Sequence, residues 1–222
     1  MAFAAAIFDV DGTLVDSVDL HARAWQEAFA HFGRRVGLDE VRSQIGKGGD
    51  QLMPVFLSQD DLARRGKAIE EYRSQLWKAE YLKRVRAFPE VRDLFQRLLR
   101  RGVKVALASS AKKDELEIYQ QIAGIDDLVK TETSADDAAR SKPYPDIFAA
   151  ALRRLGATKE AAVVIGDSPW DAIAARRLGV RSIGVLCGGF AEADLRGAGC
   201  MAIYRDPADL LARLEESPLL GE

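Results

Sequence analysis

From Phe88 onward, short apolar runs alternate with helical stripes, and that alternation leaves few folds open. Pro89 suits a helix start, and Val91, Leu94, Phe95, Leu98 and Leu99 recur at helical spacing up to Gly102. Residues 103–108 then read as a strand that ends at Ser109 and Ser110. A helix carrying Leu116, Tyr119 and Ile122 stops near Gly124, and residues 128–131 are the next strand candidate. A loop with Ser141-Lys142-Pro143 leads to a helix holding Ile147, Phe148, Ala151, Leu152 and Leu155. Residues 162–165 form another strand, ending at Gly166-Asp167-Ser168-Pro169-Trp170-Asp171, with a helix up to Gly179. Residues 182–186 and 201–204 are the last strand candidates, and a final helix is expected over 207–215. Strands separated by helices in this way make a parallel sheet covered on both faces, an α/β fold.

One further strand stands apart at the start. The apolar run 2–8 leads into Asp9-Val10-Asp11-Gly12-Thr13, where Gly12 lets the backbone turn sharply. Asp-Gly is a common turn dipeptide, so an ordinary turn is one reading. The other starts from repulsion: two acids at the mouth of a buried strand need a compensator, and a hard cation with oxygen ligands such as Mg2+ supplies one. After them, Val18, Ala22, Trp25, Phe29 and Phe32 make a helical stripe closed by Gly33. Helical patterns return over 51–56 and 60–83, beyond a glycine cluster at Gly46-Lys47-Gly48-Gly49. The expected organisation is a Rossmann-like core from residues 1–16 and 85–222, with an all-helical cap domain, 17–84, inserted beside the paired acids. The two chain crossings, near 15–17 and 83–88, would form a double hinge.

Composition narrows the function. The 222 residues, 48% hydrophobic and 30% charged, suffice for one large domain or two smaller ones. A net charge of -2 gives no basic footprint for nucleic acid and no polybasic membrane segment, and apolar runs are strand-sized. The first apolar stretch has no basic leader and runs straight into Asp9, unlike a signal peptide. Cys187 and Cys200 lack metal-ligand spacing and are expected to behave as buried hydrophobes. A cytoplasmic monomer or small homo-oligomer is the simplest expectation.

In open parallel sheets, ligands bind outside the carboxyl ends of the strands. Asp9 and Asp11, Ser109 and Ser110, and Asp167 all fall there, with Lys142 on a loop able to join them. The set has carboxylates, hydroxyls and one fixed cation, but no catalytic triad and no Walker loop. Phosphoryl transfer fits, because it asks chiefly for positioning and charge neutralisation.

These motifs resemble, in order, the four motifs of the haloacid dehalogenase superfamily in its phosphatase form. Asp9-Val10-Asp11-Gly12-Thr13 is similar to the first, Ser109 to the second, Lys142-Pro143 to the third and Gly166 to Asp171 to the fourth. The resemblance implies that Asp9 is a nucleophile forming an aspartyl-phosphate and Asp11 a general acid and base. It implies Mg2+ held by Asp9, the backbone carbonyl of Asp11 and Asp167, with Asp171 as an outer orienter or a simple helix-start acid. Ser109 and Lys142 would bind the phosphoryl group, and Ser110 would add a backbone N–H. His21 resembles a residue that positions the acid, and Lys47 a loop residue reading the substrate's far end; a packed histidine and a surface lysine are the plainer readings.

The resulting expectation is a Mg2+-dependent phosphomonoesterase acting on a small phosphorylated metabolite, a sugar phosphate or a phosphoglycolate-like acid. A β-phosphoglucomutase-like sugar phosphomutase is the alternative. Positions 49–51 read Gly49, Asp50 and Gln51 where the mutase places an arginine, and Arg42 could substitute only by reaching in from elsewhere. A dehalogenase would leave Asp11, Asp167 and Asp171 idle, and a non-catalytic binding protein would be expected to show a damaged motif.

Overall fold

The computed structural model describes residues 3–221, so the first residue of the expected opening strand, Ala2, lies outside it. The first strand is β1, Ala5–Phe8, fully buried. A two-residue strand, β2, Val15–Asp16, leads to four helices: α1, Val18–His31; α2, Leu38–Arg42; α3, Gly49–Phe56; and α4, Gln59–Leu76. The chain returns through β3, Arg86–Ala87, which pairs antiparallel with β2. There follow α5, Val91–Arg100; β4, Lys104–Ala108; α6, Lys113–Ala123; β5, Glu132–Thr133; and α7, Asp146–Leu155. Next come β6, Ala162–Gly166; α8, Pro169–Leu178; β7, Arg181–Val185; α9, Glu192–Ala198; β8, Ala202–Tyr204; and α10, Pro207–Ala212.

The main sheet runs β5-β4-β1-β6-β7-β8, and every pairing in it is parallel. Strand order therefore reverses at β1, where Phe8 pairs with Leu107 on one side and Ile165 on the other. A crevice opens at such a switch point, and Asp9 and Asp167 leave adjacent strands there. Alternate residues of β1 serve opposite faces. Ala6 and Phe8 join Leu94, Phe95, Leu98 and Tyr119 in one apolar cluster. Ala5 and Ile7 join Ile147, Phe148 and Ala151 in another.

Between β2 and β3, the helical segment builds an apolar cluster of its own from Val18, Ala22, Trp25, Phe29, Leu52 and Ile69, among others. The periodicity over 60–83 resolves into α4 and then a π-helical turn, Trp77–Tyr81. Spacing alone does not register the wider turn. It carries Trp77 and Tyr81 out of the helical segment's cluster and into the main one.

The strand expected at 128–131 lies instead at Glu132–Thr133. Leu128 and Val129 are spent on a turn, both donating to the Ile125 carbonyl. The ladder falls to the more polar pair that follows, where the Thr133 hydroxyl lies 3.2 Å from the Leu107 carbonyl and 3.3 Å from that of Ile147. The last helix is shorter than expected, ending at Ala212 before a 3-10 turn over Leu214–Glu216. Among the described residues, no helix is long and apolar enough to cross a membrane.

Candidate active site

Asp9 follows β1 directly, and Asp167 and Asp171 flank the start of α8. One carboxylate oxygen from each of the three lies within 4.8 Å of the others, and all three residues are buried. Lys142, fully buried, reaches into the group from the loop before α7: it is paired with Asp9 and sits 2.7 Å from Asp171 Oδ1. Asp171 has a second task, because its Oδ2 accepts from the Ser168 N–H at 3.1 Å and the Ser168 hydroxyl at 2.5 Å, closing the N-terminus of α8.

The charges do not balance. Burial pushes the Asp9 carboxyl up to about 7, with Lys142 opposing and Asp171 and Asp11 adding to the rise. Burial, then Asp9 and Asp171, drive Asp167 well above the usual carboxylate range. Burial alone would lower the Lys142 ammonium, but Asp171 and Asp9 more than reverse this. The Thr13 hydroxyl lies 3.1 Å from an oxygen of Asp9 and 3.1 Å from one of Asp167, yet has one proton to give. Three buried acids against one ammonium, all presenting hard oxygen donors, fit a divalent cation of the magnesium kind.

Asp11 belongs to a different network. Its Oδ1 accepts from the Ser17 hydroxyl at 2.7 Å and sits 2.9 Å from His21 Nε2, while the Ser109 hydroxyl approaches Oδ2 at 3.4 Å. Burial opposes ionisation here too, but His21, Ser17 and Lys142 outweigh it and hold the carboxyl below its ordinary value. His21 is itself fixed, stacked on Trp77 with ring centres 3.6 Å apart and 3.3 Å from the Tyr119 hydroxyl. So Asp11 is aimed by residues from α1, α6 and the π-helical turn, on both sides of the chain crossing.

A cavity of 630 Å³ lies over these groups, and Asp9, Asp11, His21, Lys47 and Ser110 all line it. Ser109, Lys142, Asp167 and Asp171 lie buried behind its floor. The Lys47 ammonium rests 3.9 Å from the Trp170 ring centre and bonds Gln44 at 2.5 Å. Gly46, at φ +99°, occupies a backbone region that side chains avoid, and any Cβ there would meet Ser168 and Trp170. The glycine loop can therefore lie flat on the start of α8.

Several site residues carried no role in the sequence reading. Thr13 and Ser17 were visible beside the aspartates, but their bonding is three-dimensional. Ser141 was visible beside Lys142; it donates its N–H and hydroxyl to Asp50 and accepts from the Gly48 N–H at 2.9 Å. The glycine loop is thereby tied to the residue preceding the buried lysine. Asp50→Ala is expected to reduce kcat/KM about tenfold by loosening that tie, with stability changing by under about 1 kcal/mol, as at most surface sites. Steady-state kinetics and thermal melts check both. Arg42 does not reach the cavity side; it holds Asp19 at 2.6 Å and the carbonyls of Gly188 and Gly189 at 3.0 and 3.2 Å. Cys200 is buried as expected, while half-buried Cys187 donates to the Gly12 carbonyl at 3.2 Å.

Comparison with known proteins gives the family. The family model of haloacid dehalogenase-like hydrolases matches residues 6–185. A phosphoglycolate phosphatase of Yersinia pestis is 30% identical over 192 residues, covering 84% of this chain and 82% of that protein. The pyrophosphatase PpaX of Oceanobacillus iheyensis is 25% identical over 185 residues, 83% of this chain and 84% of that one. Among solved structures, a hydrolase from Pseudomonas syringae superposes with a TM-score of 0.87 at 30% identity, covering 96% of this chain and 98% of the other. The chain belongs to the haloacid dehalogenase-like hydrolases and stands among the phosphatases of that family.

Proposed function

We propose that the protein is a Mg2+-dependent phosphomonoesterase working through an aspartyl-phosphate on Asp9, with residues 17–84 acting as a helical cap. The observation that carries this reading is the division of labour between the two early aspartates. Asp9 sits among acids and a lysine, while Asp11, two residues on, is held by hydroxyls and His21 at the edge of the same cavity.

Asp9, the main-chain carbonyl of Asp11 and Asp167 would hold the magnesium ion, with Asp171 orienting Lys142 behind them. When bound, the ion supplies positive charge that offsets the acids and the phosphoryl oxygens. An Asp9 oxygen attacks phosphorus as the ester P–O bond breaks, and Asp11 gives the leaving alkoxide its proton. Water then loses a proton to Asp11 and attacks the same phosphorus, breaking the Asp9–phosphorus link and releasing inorganic phosphate. The low Asp11 carboxyl suits this second half, which needs it ionised. The Lys142 ammonium, already against Asp9, stays beside the phosphoryl group once Asp9 carries it. Swinging of the cap about β2 and β3 would admit substrate and, when closed, exclude bulk water.

The test is turnover of p-nitrophenyl phosphate. EDTA should abolish it and added magnesium restore it; activity persisting after thorough chelation would defeat the metal-dependent reading.

A further inference from the structure

One wall of the cavity is built from α4 and carries ions that are paired. Glu70 Oε1 accepts from Arg73 at 3.1 Å, and Glu71 approaches Lys67 at 3.8 Å. Glu115, buried on α6, and Asp50 add two more carboxylates to the lining. Trp25, Ile45 and Met53 supply apolar surface between them. The pair at Glu70 and Arg73 is unfinished: Glu70 Oε2 and Arg73 Nε are buried without a hydrogen-bond partner, an acceptor and a donor on one helical turn.

From this wall we infer that the phosphoryl group is removed from a substrate whose remaining part is an uncharged polyol, such as a sugar or cyclitol. The inference rests on the phosphatase reading of the same cavity. A hydroxyl both donates and accepts, so neighbouring hydroxyls satisfy a carboxylate and a guanidinium together. A carboxylate or second phosphate only accepts. It could take the free Arg73 Nε–H but would leave Glu70 Oε2 without a donor, and would meet the Glu115 and Asp50 carboxylates beside Lys47 and Lys112. Size points the same way, since a two-carbon acid would leave most of 630 Å³ to water, while ligand pockets enclose most of their ligand's surface. Apolar Trp25 and Met53 suit the C–H faces of a sugar ring.

The protein with magnesium is assayed for phosphate release from glucose 6-phosphate, fructose 6-phosphate, myo-inositol 1-phosphate, phosphoglycolate and pyrophosphate, with p-nitrophenyl phosphate as reference. At least one polyol phosphate should exceed both phosphoglycolate and pyrophosphate in kcat/KM by about tenfold or more. Glu70→Gln should narrow that ratio, raising KM for the polyol ester and lowering it for phosphoglycolate. If the aryl ester is hydrolysed but phosphoglycolate or pyrophosphate matches or beats every polyol, the inference falls and the phosphatase reading stands. A folded Glu70→Gln protein with an unchanged ratio removes Glu70 from the argument and overturns the assignment of this wall. If no phosphate ester is turned over, the phosphatase reading itself fails and the inference goes with it.

Discussion

Asp9→Asn should lower turnover of every phosphomonoester by about four orders of magnitude or more, while leaving the metal-free fold at least as stable as before. The first half follows from chemistry. An amide oxygen at this position is a poor nucleophile, and no other buried carboxylate on the floor shares its place directly after β1. The second half follows from crowding. Asp9 is 3% exposed among Asp167, Asp171 and Lys142, and burial raises its carboxyl to about 7. Its folded value lies above the unfolded 3.8, so the native state binds the extra proton between those values. In EDTA, the stability of the native protein should therefore fall as pH rises from about 4 towards 7, and the asparagine variant should show a shallower fall. Saturating magnesium should reverse the order, because the wild-type protein gains a ligand the variant binds less well. Melting curves at several pH values, with and without magnesium, separate these cases. A variant less stable than wild type in EDTA at pH 8 would mean that the Lys142 pairing, rather than acid–acid repulsion, dominates at Asp9.

Much of the site was legible because its residues sit at strand ends, where a linear pattern fixes position in three dimensions. Asp9, Ser109 and Asp167 each follow an apolar run that had to be a buried strand, so their meeting at one sheet edge was implied by the alternation alone. Lys142 was harder: nothing in its spacing requires burial, and it entered only as a loop cation able to join the strand ends and through the resemblance of Lys142-Pro143 to a motif. What could not be read was the orientation of neighbours. Ser17 and Tyr119 look like ordinary helix residues until α1 and α6 converge on His21 and Asp11. The pairing of Asp50 with Ser141 joins residues 91 positions apart. Trp77 was hidden for a further reason, since the π-helical turn that delivers it to His21 leaves no trace in helical spacing.

Lys142→Met should be the most destabilising single change at the site, costing about 3–5 kcal/mol of stability at neutral pH without metal, the range for breaking a buried ion pair from one side. The methionine keeps much of the chain's length and apolar stem, so the loss is of charge more than of volume. Three carboxylates would then share a buried space with no ammonium among them. For a chain of this size the melting temperature should drop by about 10 °C, and turnover by about a hundredfold or more. Restoring the charge with arginine should rescue little, because a fully buried lysine leaves no room for the wider guanidinium fork. Acid should rescue more. Without Lys142 the carboxyls of Asp9 and Asp167, already raised, rise further, so the variant's native state takes up protons across neutral pH and gains stability as pH falls. The gap to wild type should therefore be widest near pH 8 and close markedly by pH 5. A gap of the same size at both would show that Lys142 supports the fold by packing against Phe148 and its loop rather than by cancelling charge, and the electrostatic account of the site would fail at its centre.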